Sequence, residues 1–73
     1  MGDTFDVVLE GCGDSSQTVR VIKVVRELTD LGLKEAKALV EQAPVVVLVD
    51  VRKRDAEAAK AKIEAAGGIV SIR

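Results

Sequence analysis

The residue types that carry chemistry are scarce in this chain. It has no histidine and no tyrosine, and its single cysteine is Cys12. Without an imidazole to take its proton, that thiol has no partner for nucleophilic catalysis, and general acid–base schemes lack their usual players. One cysteine also excludes an intramolecular disulfide and a cysteine-based zinc site. Asp3, Asp6 and Glu10 come early and close together, but their alternation with apolar residues is that of a solvated strand face. Gly11-Cys12-Gly13 lacks the third glycine of a dinucleotide loop and the Gly-Lys-Ser/Thr of a nucleotide loop, so it reads as a plain connection. No catalytic, metal-ligating or cofactor-binding residue is assigned. The chain is expected not to be an enzyme and to need no cofactor.

What remains is recognition, and it concentrates between Thr18 and Ala43. At 100° per residue, Val21, Val24, Val25 and Leu28 recur at i, i+3, i+4, i+7, the pattern of a helix face turned into a core. Val19, Ile22, Lys23 and Arg26 recur at the same spacing, centred roughly 160° away on the wheel. One stripe is wholly apolar, and the other alternates aliphatic with cationic residues. A helix whose core face is already supplied does not need Val19 and Ile22 on its far side. That surplus is the expected binding surface. On the next helix Leu33 stands on the shoulder of the inward face, with Lys37 one turn beyond it.

The elements that must position these residues follow from composition and order. Seventy-three residues make one domain, 1–73, which buries only about 60% of its unfolded surface. Apolar residues are 48% of the chain, with Phe5 the sole aromatic, so the core must be aliphatic. The net charge of −1 argues against binding polyanions through bulk charge. The cations Lys23, Arg26, Lys34 and Lys37 are interleaved with acids and have no aromatic to stack bases, so no nucleic acid is expected as a partner. No apolar run approaches a membrane span and no signal peptide is visible, which makes the cytoplasm the expected location and a membrane no partner.

Alternation predicts a half-buried strand over about 4–10, with Phe5, Val7 and Leu9 on one side and Asp6, Val8 and Glu10 on the other. A helix follows over about 17–29, capped by Ser15 or Ser16, and Asp30 and Gly32 punctuate the turn after it. The second helix covers about 33–43, with Pro44 as its stop. Val45–Val51 is almost entirely β-branched, the strongest strand pattern present. A third helix over about 53–66 turns small residues inward, Gly67-Gly68 ends it, and a strand closes the chain over 69–73. The order β-α-α-β-α-β predicts an α+β two-layer sandwich. Its three-stranded mixed sheet has strand order 2-1-3, because a right-handed crossover makes strands two and three parallel, and three helices cover one face.

At Val21-Ile22-Lys23-Val24-Val25-Arg26-Glu27-Leu28-Thr29, at Leu31-Gly32-Leu33-Lys34-Glu35-Ala36-Lys37 and at Ala43-Pro44, the chain resembles the C-terminal domain of the bacterial ribosomal stalk protein, the L-seven/L-twelve acidic protein of the large subunit. The resemblance extends through Phe5–Glu10 and Asp55–Gly67 and so covers nearly the whole chain. It implies a tethered module that contacts translational GTPases, elongation factors G and Tu, and recruits them to the ribosome. Carried over position by position, the factor-binding face is Val19, Ile22, Lys23, Arg26, Leu33, Lys34 and Lys37. It also implies that ribosome attachment belongs to N-terminal helices and a hinge ahead of this domain, so the domain alone is expected to bind factors but not the ribosome.

Departures from the family pattern fall in two places. Thr18 stands for a usual Lys and Asp30 for a usual Gly, both beside the contact face. Arg52 replaces a usual Ser at a helix start, where a cap is worth about 1 kcal/mol. Val45–Asp50 and Ile69 are more apolar than the family, which raises a homodimer through the sheet or through an edge strand Val45–Val51. The alternative function is a stand-alone or redesigned domain acting as an adaptor or dimerising scaffold, without a ribosomal role. A peptide-holding adaptor of the same fold would need a convergent acidic pocket, and no such cluster is visible in the sequence.

Overall fold

The computed structural model describes residues 3–73, so Met1 and Gly2 of the expected 1–73 unit lie outside the described residues. Its elements are β1 (Thr4–Cys12), α1 (Ser15–Thr29), α2 (Leu33–Glu41), β2 (Val45–Arg52), α3 (Lys53–Ala65) and β3 (Gly68–Ile72). The sheet order is β2-β1-β3, and β1 is antiparallel to both neighbours. β2 and β3 therefore run parallel and are joined by α3. This is the α+β arrangement that the periodicity predicts.

The core is aliphatic throughout, and among the described residues no polar or charged side chain is buried. Val7 and Leu9 from β1, Val21 and Val25 from α1, Ala36 from α2 and Ile63 from α3 are each 0% exposed. Small residues set the spacing of α3. Ala56 and Ala59 let it lie close to the sheet, and a Cβ added at Gly68 would collide with Ile63. Gly67, at φ 101°, completes that junction, since a side chain there would meet three Gln17 atoms within 2.8 Å. At such a φ, glycine is the residue without a steric cost.

Several boundaries differ from the sequence-based expectation, each for a local reason. β1 runs on to Cys12 because Gly11 and Cys12 pair with Ile69 and Gly68 of β3 across an irregularity at Glu10. The glycine-rich loop thereby shrinks to Gly13-Asp14. α2 stops at Glu41, with Gln42 as its cap. α3 starts from Arg52, which makes no side-chain cap. Asp30 caps α1 in the left-handed region, as its residue type allows.

The outer face of the sheet also differs. Asp6 and Glu10 are half-buried and hydrogen-bonded instead of freely solvated. Asp6 Oδ1 accepts the Asp50 N–H, while Glu10 accepts the Ser71 hydroxyl and pairs with Arg73. Val8 lies on this face, outside the main core, yet is only 4% exposed. Its flanking partners Val46 and Ser71 on the neighbouring strands cover it. β2 is an edge strand, as feared for so apolar a run, but it is not a flat one. Its register with β1 shifts twice, and Asp50 sits at φ 60° within it. Bulges of this kind twist an edge and disrupt its ladder, which guards against pairing with another chain.

The cap of α1 is Asp14, not Ser15 or Ser16. Its extended backbone places a carboxylate oxygen to accept the Ser16 and Gln17 N–H groups, and the Ser16 hydroxyl donates to the same atom. The Ser16 hydroxyl foremost, and then the Gln17 N–H, hold the Asp14 carboxyl below its ordinary range. A pKa lowered by folding makes the stabilisation complete above the unfolded value, about 3.9. It is lost as pH falls through that value and then through the lower folded one. Urea midpoints measured between neutral pH and pH about 2 should fall more steeply for the natural chain than for Asp14→Asn, which keeps an amide acceptor but cannot titrate. Parallel profiles would show that Asp14 contributes no pH-linked stability.

Candidate functional site

α1 is buried over a wider arc than the apolar stripe alone suggests. Val21, Val25 and Ile22 are buried, and Val24, Leu28, Thr18 and Thr29 are half-buried. On the helical wheel this arc spans roughly 160°. It is that wide because α1 packs on the sheet and α3 and, in addition, on α2. Ile22 is therefore corrected as an exposed contact residue: at 6% exposure it belongs to the core. It lies at the margin of the arc, where the sequence alone made it look surplus. The opposite arc holds Arg26, Val19 and Lys23, all exposed, within roughly 60° of one another. Val19 is 59% exposed, and this part of the surplus is on the surface.

The turn Asp30–Gly32 leads directly into α2, which packs against α1 and carries the other expected contact residues. Leu33 is 59% exposed, and Lys34 and Lys37 are exposed with it. Gly32 is the N-cap of α2 and makes no side-chain cap, while Glu35 supplies the acid of the first turn, where it suits the helix dipole. Leu33 gains its exposure from standing at the very start of the helix. A large aliphatic residue at that point covers no core, which is what a contact residue requires.

Lys23 and Arg26 share a shallow concavity of about 490 Å³ with Glu27, Asp30 and Leu31. Leu33, Lys34 and Lys37 do not line it; they stand on the adjoining helix. Among the described residues the ion pairs are Lys60–Glu64 and Glu10–Arg73, and neither engages a cation of this surface. Lys23, Arg26, Lys34 and Lys37 are therefore unspent among the described residues, on two helices that also expose Val19 and Leu33. Asp30 is noted from the sequence as a turn residue and as a departure beside the face, and Glu27 not at all. Glu27 gave no signal, being an ordinary acid on a helix, while the turn residue Asp30 shows its side chain's position only once the helix end is built. No group of three or more potential ligands stands close enough to hold a metal among the described residues.

The family profile of the ribosomal protein L7/L12 C-terminal domain matches residues 5–73. The chain belongs to that family. It is similar to the large ribosomal subunit protein bL12 of Nocardia farcinica, at 58% identity over 72 residues covering 97% of this chain and 56% of that protein. Proteins of the same name in Cellvibrio japonicus and Moorella thermoacetica are 59% and 56% identical over 69 residues, covering 94% of this chain and 55% and 53% of their own lengths. The chain thus spans just over half the length of these relatives. They are named as ribosomal components and not for a reaction.

The division between Ile22 and Val19 has a direct thermodynamic consequence. Ile22→Ala should destabilise the fold by about 2–5 kcal/mol, the range for a truncated core aliphatic. Val19→Ala should change it by no more than about 0.5 kcal/mol, as for an ordinary surface site. Urea unfolding of the two variants tests this, and equal losses would place both residues in the same environment.

Proposed function

We propose that the chain is a contact module for translational GTPases, elongation factors G and Tu, and that it serves their recruitment to the ribosome in protein synthesis. The observation that carries the reading is the pairing of unspent cations with stranded aliphatics. Among the described residues Lys23, Arg26, Lys34 and Lys37 take part in no ion pair, and Val19 and Leu33 are each 59% exposed on the same two packed helices. Such a surface suits an acidic partner helix, with aliphatic contact supplying area and cations steering the encounter. Without a deep pocket or an aromatic anchor the contact is weak and quickly reversed, as a factor that leaves after each cycle requires.

In this reading Ile22 acts from beneath, holding Val19, Lys23 and Arg26 at the surface, and is not itself a contact. Attachment to the ribosome is assigned to the part of the relatives' length that this chain does not match. The location is the cytoplasm, with no direct nucleic-acid or membrane partner. No helix of the described residues is long and apolar enough to cross a membrane.

Lys23→Glu and Arg26→Glu should each weaken binding to purified elongation factor G by at least about tenfold, with the larger part in the association rate at low salt. The circular dichroism spectrum should be unchanged, because both residues are exposed. Titration calorimetry or NMR shift mapping measures the effect. Unchanged affinity in either variant would remove the factor-binding face.

A second reading, self-association, draws on the far side of the molecule. Val46, Val49 and Ile69 are 42%, 65% and 55% exposed on β2 and β3, and no helix covers that face of the sheet. The two register shifts of β2 favour contact through the face over pairing along the edge. Sedimentation over a concentration series should then show a growing dimer that Val49→Lys suppresses. A strict monomer at the highest concentration would leave the sheet face without this role.

A further inference from the structure

Asp30 stands at odds with its local setting, on the rim of the proposed contact face. It closes α1 at φ 60° and ψ 18°, where glycine is the favoured residue and asparagine or aspartate a tolerated one. Its carboxylate also stands at the negative end of the helix dipole, where a cation is preferred; Arg26 is the basic residue of that last turn. The turn does not use the carboxylate. Thr29 serves it instead, its hydroxyl donating to the Val25 carbonyl and accepting the Leu31 N–H. The Asp30 backbone N–H is tied to the Arg26 carbonyl at 3.0 Å, so the direction of its side chain is set by the helix end. An acid here works against the fold, and a residue that defies local preference with no structural return is where function is to be sought.

We propose that Asp30 is a built-in attenuator of the contact face. With Glu27 it sets two acids around the concavity that Lys23 and Arg26 share. A partner surface that offers carboxylates to Lys23 and Arg26 meets like charge at Asp30, which slows its association and keeps the complex short-lived. The effect is local, because charges separated by more than a Debye length of about 10 Å are screened at ordinary salt. Asp30 thereby narrows the acceptable partners to those whose acids fall over the two cations and not over the helix end. This inference rests on the factor-binding reading and adds to it a residue that weakens the contact.

The test uses the 73-residue chain with purified elongation factor G and three variants. Asp30→Asn removes the charge and tolerates the same backbone; Asp30→Gly removes charge and backbone cost together. Both should bind about threefold more tightly than the natural chain at about 0.1 M salt, with the gain collapsing near 1 M. Both should also melt at a higher temperature. Lys23→Glu runs alongside as a control. Unchanged binding by Lys23→Glu, or none by the natural chain, overturns the factor-binding reading and this inference with it. Weaker binding by Lys23→Glu without any gain in Asp30→Asn overturns the attenuator alone, whatever the melting temperatures show.

Discussion

The rest of the molecule hangs on the position of α1. This helix packs against every other element, with the sheet and α3 on one side and α2 on another. Two of its valines, Val21 and Val25, are completely buried. A helix covered on two sides needs a broad apolar arc and leaves only a narrow one to solvent. That narrow arc is where Val19, Lys23 and Arg26 stand. The demand of the core and the layout of the proposed contact face are therefore one constraint. The face is as wide as the packing of α2 permits.

The core that enforces this constraint is made of branched aliphatics and alanines. Such side chains have no polar atoms to satisfy, so the interior carries no buried hydrogen-bond network that could be left incomplete. Polar side chains instead work at the margins. Asp14 starts α1, Thr29 serves the turn after it, and Asp6 and Glu10 tie β1 to its two neighbours. α3 begins without such help, since Arg52 offers the helix no acceptor. Its small inward residues give it close contact with the sheet in return. In a domain of this size a single cap is a sizeable share of the margin.

The two faces of the molecule manage apolar exposure differently. On the helical side the exposed aliphatics are set among cations, which suits a reversible encounter with an acidic surface. On the sheet side Val46, Val49 and Ile69 are exposed, and the bulged backbone of β2 protects the edge. Asp50, whose N–H reaches the Asp6 carboxylate and whose own carboxylate accepts the Thr4 hydroxyl, is the local device that bends the strand. An acid at a left-handed position recurs at Asp30, but there the side chain is free of any such duty. The two aspartates share a backbone conformation and differ in what their carboxylates do.

Much of this was legible in the amino-acid order. The β-branched run at Val45–Val51, the alternation at Phe5–Leu9 and the i, i+3, i+4 spacing of Val21, Val24 and Val25 specify element type locally, because each pattern depends on near neighbours along the chain. The turn at Asp30 and the missing cap at Arg52 were readable for the same reason. Ile22 was not. It lies at the margin of an arc that is wide because α1 packs on several elements, and a helical wheel drawn for one helix contains no term for a second. The same holds for Val8, hidden by residues on two flanking strands, and for the bulges of β2, which arise from pairing with β1. The concavity that gathers Lys23, Arg26, Glu27 and Asp30 likewise exists only once the helix ends where it does. Residue order settles what each segment can become, since propensity and periodicity act over a few residues. Which of its side chains remain at the surface is decided by neighbours distant in sequence, since burial is a property of the packed chain.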